Sequence, residues 1–385
     1  MKMRNCMLGA LAASVALAGA AATALAAEDE KAEQWGELPL VVQQRTIEKV
    51  FAMPAIETAA GFSWSVLVST RRELFDPFDM FIADDHTLWV ADDAKSGAIW
   101  KVTLDGQVAP LALPKQHSPI SLDMAPKSFG PYAGQLYTVA FAKPEKAGGW
   151  ELPDAITRID PATGRDTLIC YLPESDSHEP GAGGFFARFG PEGSPFGGRL
   201  WVTAASNHTI YQVTPDGKCK PWVTIDLQKW GSPRAIAFTP DGRTMLLGVA
   251  APMPENRNKT RPDGGRILKL APDGTVAGEL LAGGLHEPGV MAYAPKGFGA
   301  YGGQIFITDA GEWDNDVEAT EPIPSDGKVY RIDADGRLVL VASGFRNPVG
   351  VAFIAGMLVI SDINGDYHIG NQKFPDGFIV TLKLK

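Results

Sequence analysis

Residues 327–353 read GKVYRIDADGRLVLVASGFRNPVGVAF. An apolar strand (GKVYRI, 327–332) runs into the turn Ala334-Asp335-Gly336, a second strand (LVLVAS, 338–343) and then Arg346-Asn347-Pro348, which leads into a third. Aromatic and β-branched residues alternate as a pleated strand requires, and Asp-Gly supplies the positive-φ position of a hairpin. Working outward, the same succession recurs six times. The proline lead-ins are Phe75-Asp76-Pro77, His117-Ser118-Pro119, His178-Glu179-Pro180, Gly231-Ser232-Pro233, His286-Glu287-Pro288 and Arg346-Asn347-Pro348. The strands matching GKVYRI are GAIWKV (97–102), AITRI (155–159), HTIYQV (208–213), GRILKL (265–270) and GFIVTL (377–382). Between lead-in and matching strand lies a further apolar strand in every unit, from TLWVAD (87–92) to MLVISD (357–362). Recurrence in fixed order marks a repeat architecture.

Four antiparallel strands per unit, repeated radially, make a β-propeller blade, so the fold class expected is all-β, a six-bladed β-propeller. The sixth unit shows no fourth strand after GFIVTL. The stretch WSVLVS (64–69) resembles LVLVAS and is expected to complete the last blade, closing the ring and removing two exposed strand edges. Successive lead-in prolines are 42, 61, 53, 55 and 60 residues apart, longer than a minimal blade of roughly 40–45. The extra length sits at 141–154, 250–264, 310–326 and 363–376, on one face, where long loops carry function.

The first residues read differently. Lys2 and Arg4 precede an apolar run to about Ala22, and Ala24-Leu25-Ala26 offers a small-x-small cleavage site, the pattern of a secretory signal over 1–26. The alanine-rich run is shorter than the roughly 20 residues a membrane span needs. The expected organisation is therefore a signal (1–26), an extension (27–60) that is charged at first and then forms a strand or short helix lying against the ring, and the propeller (61–385), exported to the periplasm or secreted, with no membrane insertion after signal removal. Removing 1–26 removes two cations and no acid, leaving 33 cations against 45 acids, a net charge of −12. Such a surface without a basic run excludes nucleic acid as the expected partner and favours a small-molecule substrate. Cys170 and Cys219 remain; a disulfide across neighbouring blades and two free thiols are both open readings.

The repeat brings the lead-in residues to one end of a central channel. His117, His178 and His286 fill the same position in units two, three and five, with Arg346 beside it in unit six. Imidazoles converging there could bind a metal and a cation could hold an anionic ligand, while Glu179 and Glu287 could orient a ring or act in acid–base chemistry. The plainer reading is that each His packs beside its proline. The loop from Asp309 through Glu312 and Asp314 clusters oxygen ligands suited to Ca²⁺, against the alternative of a solvated acidic loop. Asp362-Ile363-Asn364-Gly365-Asp366 is similar, but its Gly falls too early for a calcium loop. The chain has no Gly-x-Ser-x-Gly elbow, no Gly-Lys-[Ser/Thr] loop and no His-Glu-x-x-His helix.

The stretch 298–362, with FGAYGGQIFITDAGEWDN, GKVYRIDADGRLVLVASGFRNPVGVAF and LVISD, resembles the C-terminal blades of the sorbosone/glucose dehydrogenase-like propellers. These are exported quinoproteins using pyrroloquinoline quinone and Ca²⁺. The resemblance is close over about a sixth of the chain. It implies an oxidoreductase of a sugar or small alcohol, with Arg346 against the quinone carboxylates, Asn347 and His117 beside the cofactor, and a pocket histidine as base. Ala310-Gly311 stands where the family often has His-Gly, leaving His178 or His286 for the base. Asn-Pro-x-Gly before an apolar strand also occurs in gluconolactonase-like and NHL-type propellers. A metal-dependent lactonase, with Asn347 in a ligand position, is therefore the second reading, and a non-catalytic binding propeller the third.

Overall fold

The computed structural model describes residues 48, 51–70, 72–93, 97–114, 117–142, 154–172, 184–252, 260–311, 325–364, 368–369, 372–373 and 375–385. The strands form six antiparallel sheets of the expected order. Blade 1 is Pro77–Asp84, Thr87–Asp92, Ala98–Thr103 and Val108–Ala112, and blade 2 is His117–Met124, Leu136–Ala142, Ala155–Ile159 and Asp166–Tyr171. Blade 3 is Gly184–Phe189, Leu200–Ala204, Thr209–Val213 and Cys219–Thr224, and blade 4 is Ser232–Phe238, Met245–Ala250, Gly265–Leu270 and Val276–Leu285. Blade 5 is Pro288–Tyr293, Ile305–Asp309, Gly327–Ile332 and Leu338–Phe345. Blade 6 is Pro348–Ile354, Met357–Asp362, Phe378–Leu384 and Phe62–Val68.

The last blade is closed as the sequence implies: Phe62–Val68 pairs with Phe378–Leu384, Trp64 opposite Leu382 and Val66 opposite Val380. Ser65 Oγ and Thr381 Oγ1 share a hydrogen bond of 2.8 Å across that seam. The extension before it lies against the ring as a short strand. Glu57–Thr58 pairs with Leu338–Phe345 and adds a fifth strand to blade 5. Among the described residues no helix is long and apolar enough to cross a membrane.

Burial follows position within the blade. Second strands are covered on both faces by neighbouring blades, so Leu200–Ala204, Met245–Ala250 and Ile305–Asp309 are buried throughout and read as mainly apolar runs, without polar alternation. Fourth strands alternate toward solvent. Aromatic rings fill the wedges between blades: Phe129, Tyr137 and Phe189 meet edge-on at 4.8–5.4 Å between blades 2 and 3, and Phe298, Phe306 and Phe353 at 4.8–5.9 Å between blades 5 and 6. Such pairs add about 0.5–1.5 kcal/mol each beyond their area.

First strands of neighbouring blades touch all the way round, which places them innermost and makes them the wall of the channel. Each carries a bulge near its start, between Pro77 and Asp79, Pro119 and Ser121, Gly184 and Ala187, Pro233 and Ile236, Pro288 and Met291, and Pro348 and Val351. Proline has no N–H for the ladder, so pairing is interrupted there and the strand bends as it enters the ring.

Candidate functional site

At the lead-in end, a carboxylate at the end of the second strand holds the turn before the proline. Asp92 accepts from the amides of Phe75 and Asp76 and from Trp100 Nε1. Asp309 accepts from His286 N (3.0 Å) and Glu287 N (2.7 Å), and Asp362 from Arg346 N (3.0 Å), Asn347 N (3.1 Å) and Asn364 N (2.7 Å). Burial pushes Asp309 and Asp362 up to about 6, against the amide donors that favour the ionised form. The pairing positions in blades 2 and 4 are Ala140 and Val249, opposite Pro119 and Pro233, and carry no such clamp.

The residue just before each proline is Asp76, Ser118, Ser232, Glu287 or Asn347 in blades 1, 2, 4, 5 and 6. Every one bears oxygen, and Asp76, Ser118, Glu287 and Asn347 are buried. Since the first strands form the channel wall, these residues ring its lead-in end. Asn347 is 1% exposed; its Nδ2 donates to Asn364 O at 2.7 Å, while its Oδ1 is buried with no hydrogen-bond partner among the described residues. Ser232 Oγ donates to Ala205 O at 2.8 Å.

His286 separates from this ring. His286 Nε2 lies 3.1 Å from Thr260 O, against the residue that ends the loop before Gly265–Leu270. His117 begins the first strand of blade 2, its backbone opposite Ala142. His178, Glu179, Glu312 and Asp314 lie outside the described residues. Among the described residues no three His, Cys, Asp or Glu side chains gather as a metal cluster. Arg346 is buried, its Nη1 bonded to Asn364 Oδ1 and its Nη2 to Ala52 O at 3.1 Å, so the guanidinium ties the segment before the closing strand to blade 6.

Arg234 is a residue the motif reading passed over. Its Nε and Nη2 lie 3.2 and 3.3 Å from the Glu287 carboxylate, and its guanidinium sits 4.4 Å from the centre of the Phe185 ring. Phe185 in turn meets Phe78 and Phe186 at about 6 Å, carrying an aromatic layer from blade 3 to blade 1. The signal was present: the residue after the proline is Phe78, Ile120, Gly181, Gly289 or Val349 elsewhere and a cation only in blade 4.

The other end of the channel differs. A cavity of about 360 Å³ is lined by Met80, Ile82, Asp123, Arg188, Met291 and Phe353 among others, near the far ends of the first strands. Fully buried Asp79 takes a two-pronged contact from Arg188 (2.7 and 2.9 Å) and a bond from Ser121 Oγ (2.8 Å). Asp123 is pushed up to about 6 by burial, opposed by the Arg188 cation and the amides of Phe189 and Met124. With Asp79 and Arg188 balancing one another, this network pins blades 1, 2 and 3 together.

No family model and no curated protein sequence matches the chain. Solved structures do. The soluble aldose sugar dehydrogenase of Escherichia coli is 12% identical, with 84% of this chain and 100% of that one covered at a TM-score of 0.52. A gluconolactonase of Xanthomonas campestris is 15% identical, with 87% and 95% covered at a TM-score of 0.51. The protein is thus a six-bladed β-propeller of the fold shared by sugar dehydrogenases and gluconolactonases.

Proposed function

We propose that this protein is an exported enzyme whose site is the lead-in end of the channel, and that it hydrolyses a small oxygen-rich ring substrate, a lactone, with a divalent cation such as Ca²⁺. The observation that carries this reading is the ring of pre-proline oxygens, with Asn347 Oδ1 buried and lacking a partner. A buried amide oxygen without a hydrogen bond costs about 1–3 kcal/mol, a penalty that a cation would offset. Carboxylate, hydroxyl and amide oxygens are the donors a hard cation takes. Asp76, Glu287 and Asn347 are the residues assigned to hold it. A cation there supplies Lewis acidity toward a lactone carbonyl. Arg234, steadied by Glu287 and Phe185, offers a guanidinium at this end of the channel to a substrate hydroxyl or carboxylate.

Pyrroloquinoline quinone fits the described residues less well. The cation assigned to its carboxylates, Arg346, already donates to Asn364 and Ala52, and the imidazole of His286 is held at Thr260. The test is to strip the protein with a chelator, restore Ca²⁺, and follow metal content together with hydrolysis of a panel of sugar lactones. Hydrolysis that returns with the cation and fails in Asn347→Ala supports the reading. Dye reduction with aldoses on adding the quinone, without lactone hydrolysis, would overturn it in favour of the dehydrogenase. Inertness in both assays, with no bound metal, would leave a binding propeller. Export is tested by the first residue of the secreted protein, expected near Ala27.

A further inference from the structure

We propose that Cys170 and Cys219 form a disulfide that staples the outermost strands of blades 2 and 3. Cys170 lies in Asp166–Tyr171 and Cys219 opens Cys219–Thr224, the fourth strands of adjacent blades. Both are half-buried and reduced in this structure, and each thiol is close enough to perturb the acidity of the other. A second contact shows the same approach. The Ile169 side chain lies 3.7 Å from where a Cβ on Gly217 would stand, so the strand holding Cys170 rests on the turn that precedes Cys219. The local backbone explains how. Pairing with Ala155–Ile159 slips between Leu168 and Cys170, leaving Ile169 as an extra residue. A bulge re-aims the side chains around it, and here both Ile169 and Cys170 come against blade 3.

The chemistry is an ordinary exchange. The neighbouring Cys219 thiol, and then burial, raise Cys170 above the usual thiol range. One of the two thiols, as a thiolate, attacks the disulfide of an oxidant such as glutathione disulfide, releasing one thiolate of the oxidant and leaving a mixed disulfide. The other thiol then loses its proton and attacks the bonded Sγ, expelling the second oxidant thiolate. Two protein thiols are oxidised, one oxidant disulfide becomes two thiols, and the protons pass to them. The bond closes a loop of residues 170–219 and so restricts the unfolded chain. Its formation in the cell rests on export; its formation in the purified protein does not, and neither depends on the hydrolytic reading.

The experiment uses the full chain, reduced, desalted and equilibrated with glutathione disulfide, then alkylated in denaturant and mapped by mass spectrometry. A Cys170–Cys219 linked peptide is expected, lighter by two hydrogens than the sum of its parts. The melting temperature should stand about 5 °C above that of the reduced protein. That difference should vanish in Cys170→Ser and in Cys219→Ser, each of which is small and half-buried enough to fold. Separate glutathione adducts on the two residues, a link to Cys6 instead, or a linked form that melts no higher than the reduced one would overturn the proposal.

Discussion

Arg346 and Asn347 are neighbours in sequence with different tasks. Arg346 is fully engaged inside the protein, whereas Asn347 keeps one buried oxygen without a partner. Asn347→Ala is therefore expected to lower affinity for a divalent cation at least tenfold while costing about 1–2 kcal/mol of stability, through the Asn364 carbonyl that loses its donor. Calorimetric titration and urea unfolding on the same sample separate the two effects. Arg346→Ala should do the reverse, costing about 3 kcal/mol of stability through the acceptors it leaves buried. Arg188→Ala should be more severe still, about 3–5 kcal/mol, because Asp79 is wholly buried and would lose its cation. These roles were unevenly legible. The lead-in motif located Asn347 and Arg346, but only side-chain geometry shows which of them faces inward. Arg234 escaped because its significance lies in being a cation where the repeat elsewhere has an apolar residue or glycine, and in the Glu287 it meets from another blade.

At the scale of single elements the repeat pattern was a close guide. The second strands of blades 1 and 6 run over the residues quoted for them, Thr87–Asp92 and Met357–Asp362, since apolar content and flanking turns agree. That the extension ends in a strand or short helix against the ring was legible; its place at Glu57–Thr58 was not, because two residues are too short for alternation and are defined by their partner in blade 5. The hairpin turns are held by local chemistry, as where Asp333 Oδ1 accepts from Asp335 N and Arg337 N. Gly106, in the equivalent turn of blade 1, has φ +82°, and a Cβ there would stand 2.7 Å from the carbonyl oxygen of Leu67 in the closing strand. Gly106→Ala is accordingly expected to cost about 2 kcal/mol, read as a lowered midpoint in urea with an unchanged slope.

Across the whole molecule, the buried carboxylates at the strand ends set a pH dependence. Asp309 and Asp362 titrate near 6 in the folded protein and near 3.8 when unfolded. Between those values the native state binds more protons than the unfolded one, so stability falls as pH rises through roughly 4 to 6. The exposed turn aspartates, including Asp216 and Asp333, are lowered and act in the opposite sense only at the acid end of that window and below it. Urea midpoints at pH 5 and pH 7 should differ in favour of pH 5, and saturating Ca²⁺ should reduce the gap if it favours ionised groups at the lead-in end. The fold at this scale was readable because six copies of one pattern reinforce one another, whereas the site depends on positions where the copies disagree.

The seam of blade 6 has a kinetic consequence. It joins residues 62–68 to residues 378–384, with Ser65 and Thr381 bonded across a separation of 316 residues. A growing chain can build blades 1 to 5 in order, but the circle stays open until residues 378–384 have been made. Ring closure is the most non-local step in the molecule and should be its slow phase, seen as a late recovery of Trp64 fluorescence on refolding. Until then both partners of the seam stand as unpaired strand edges, open to pairing with another chain.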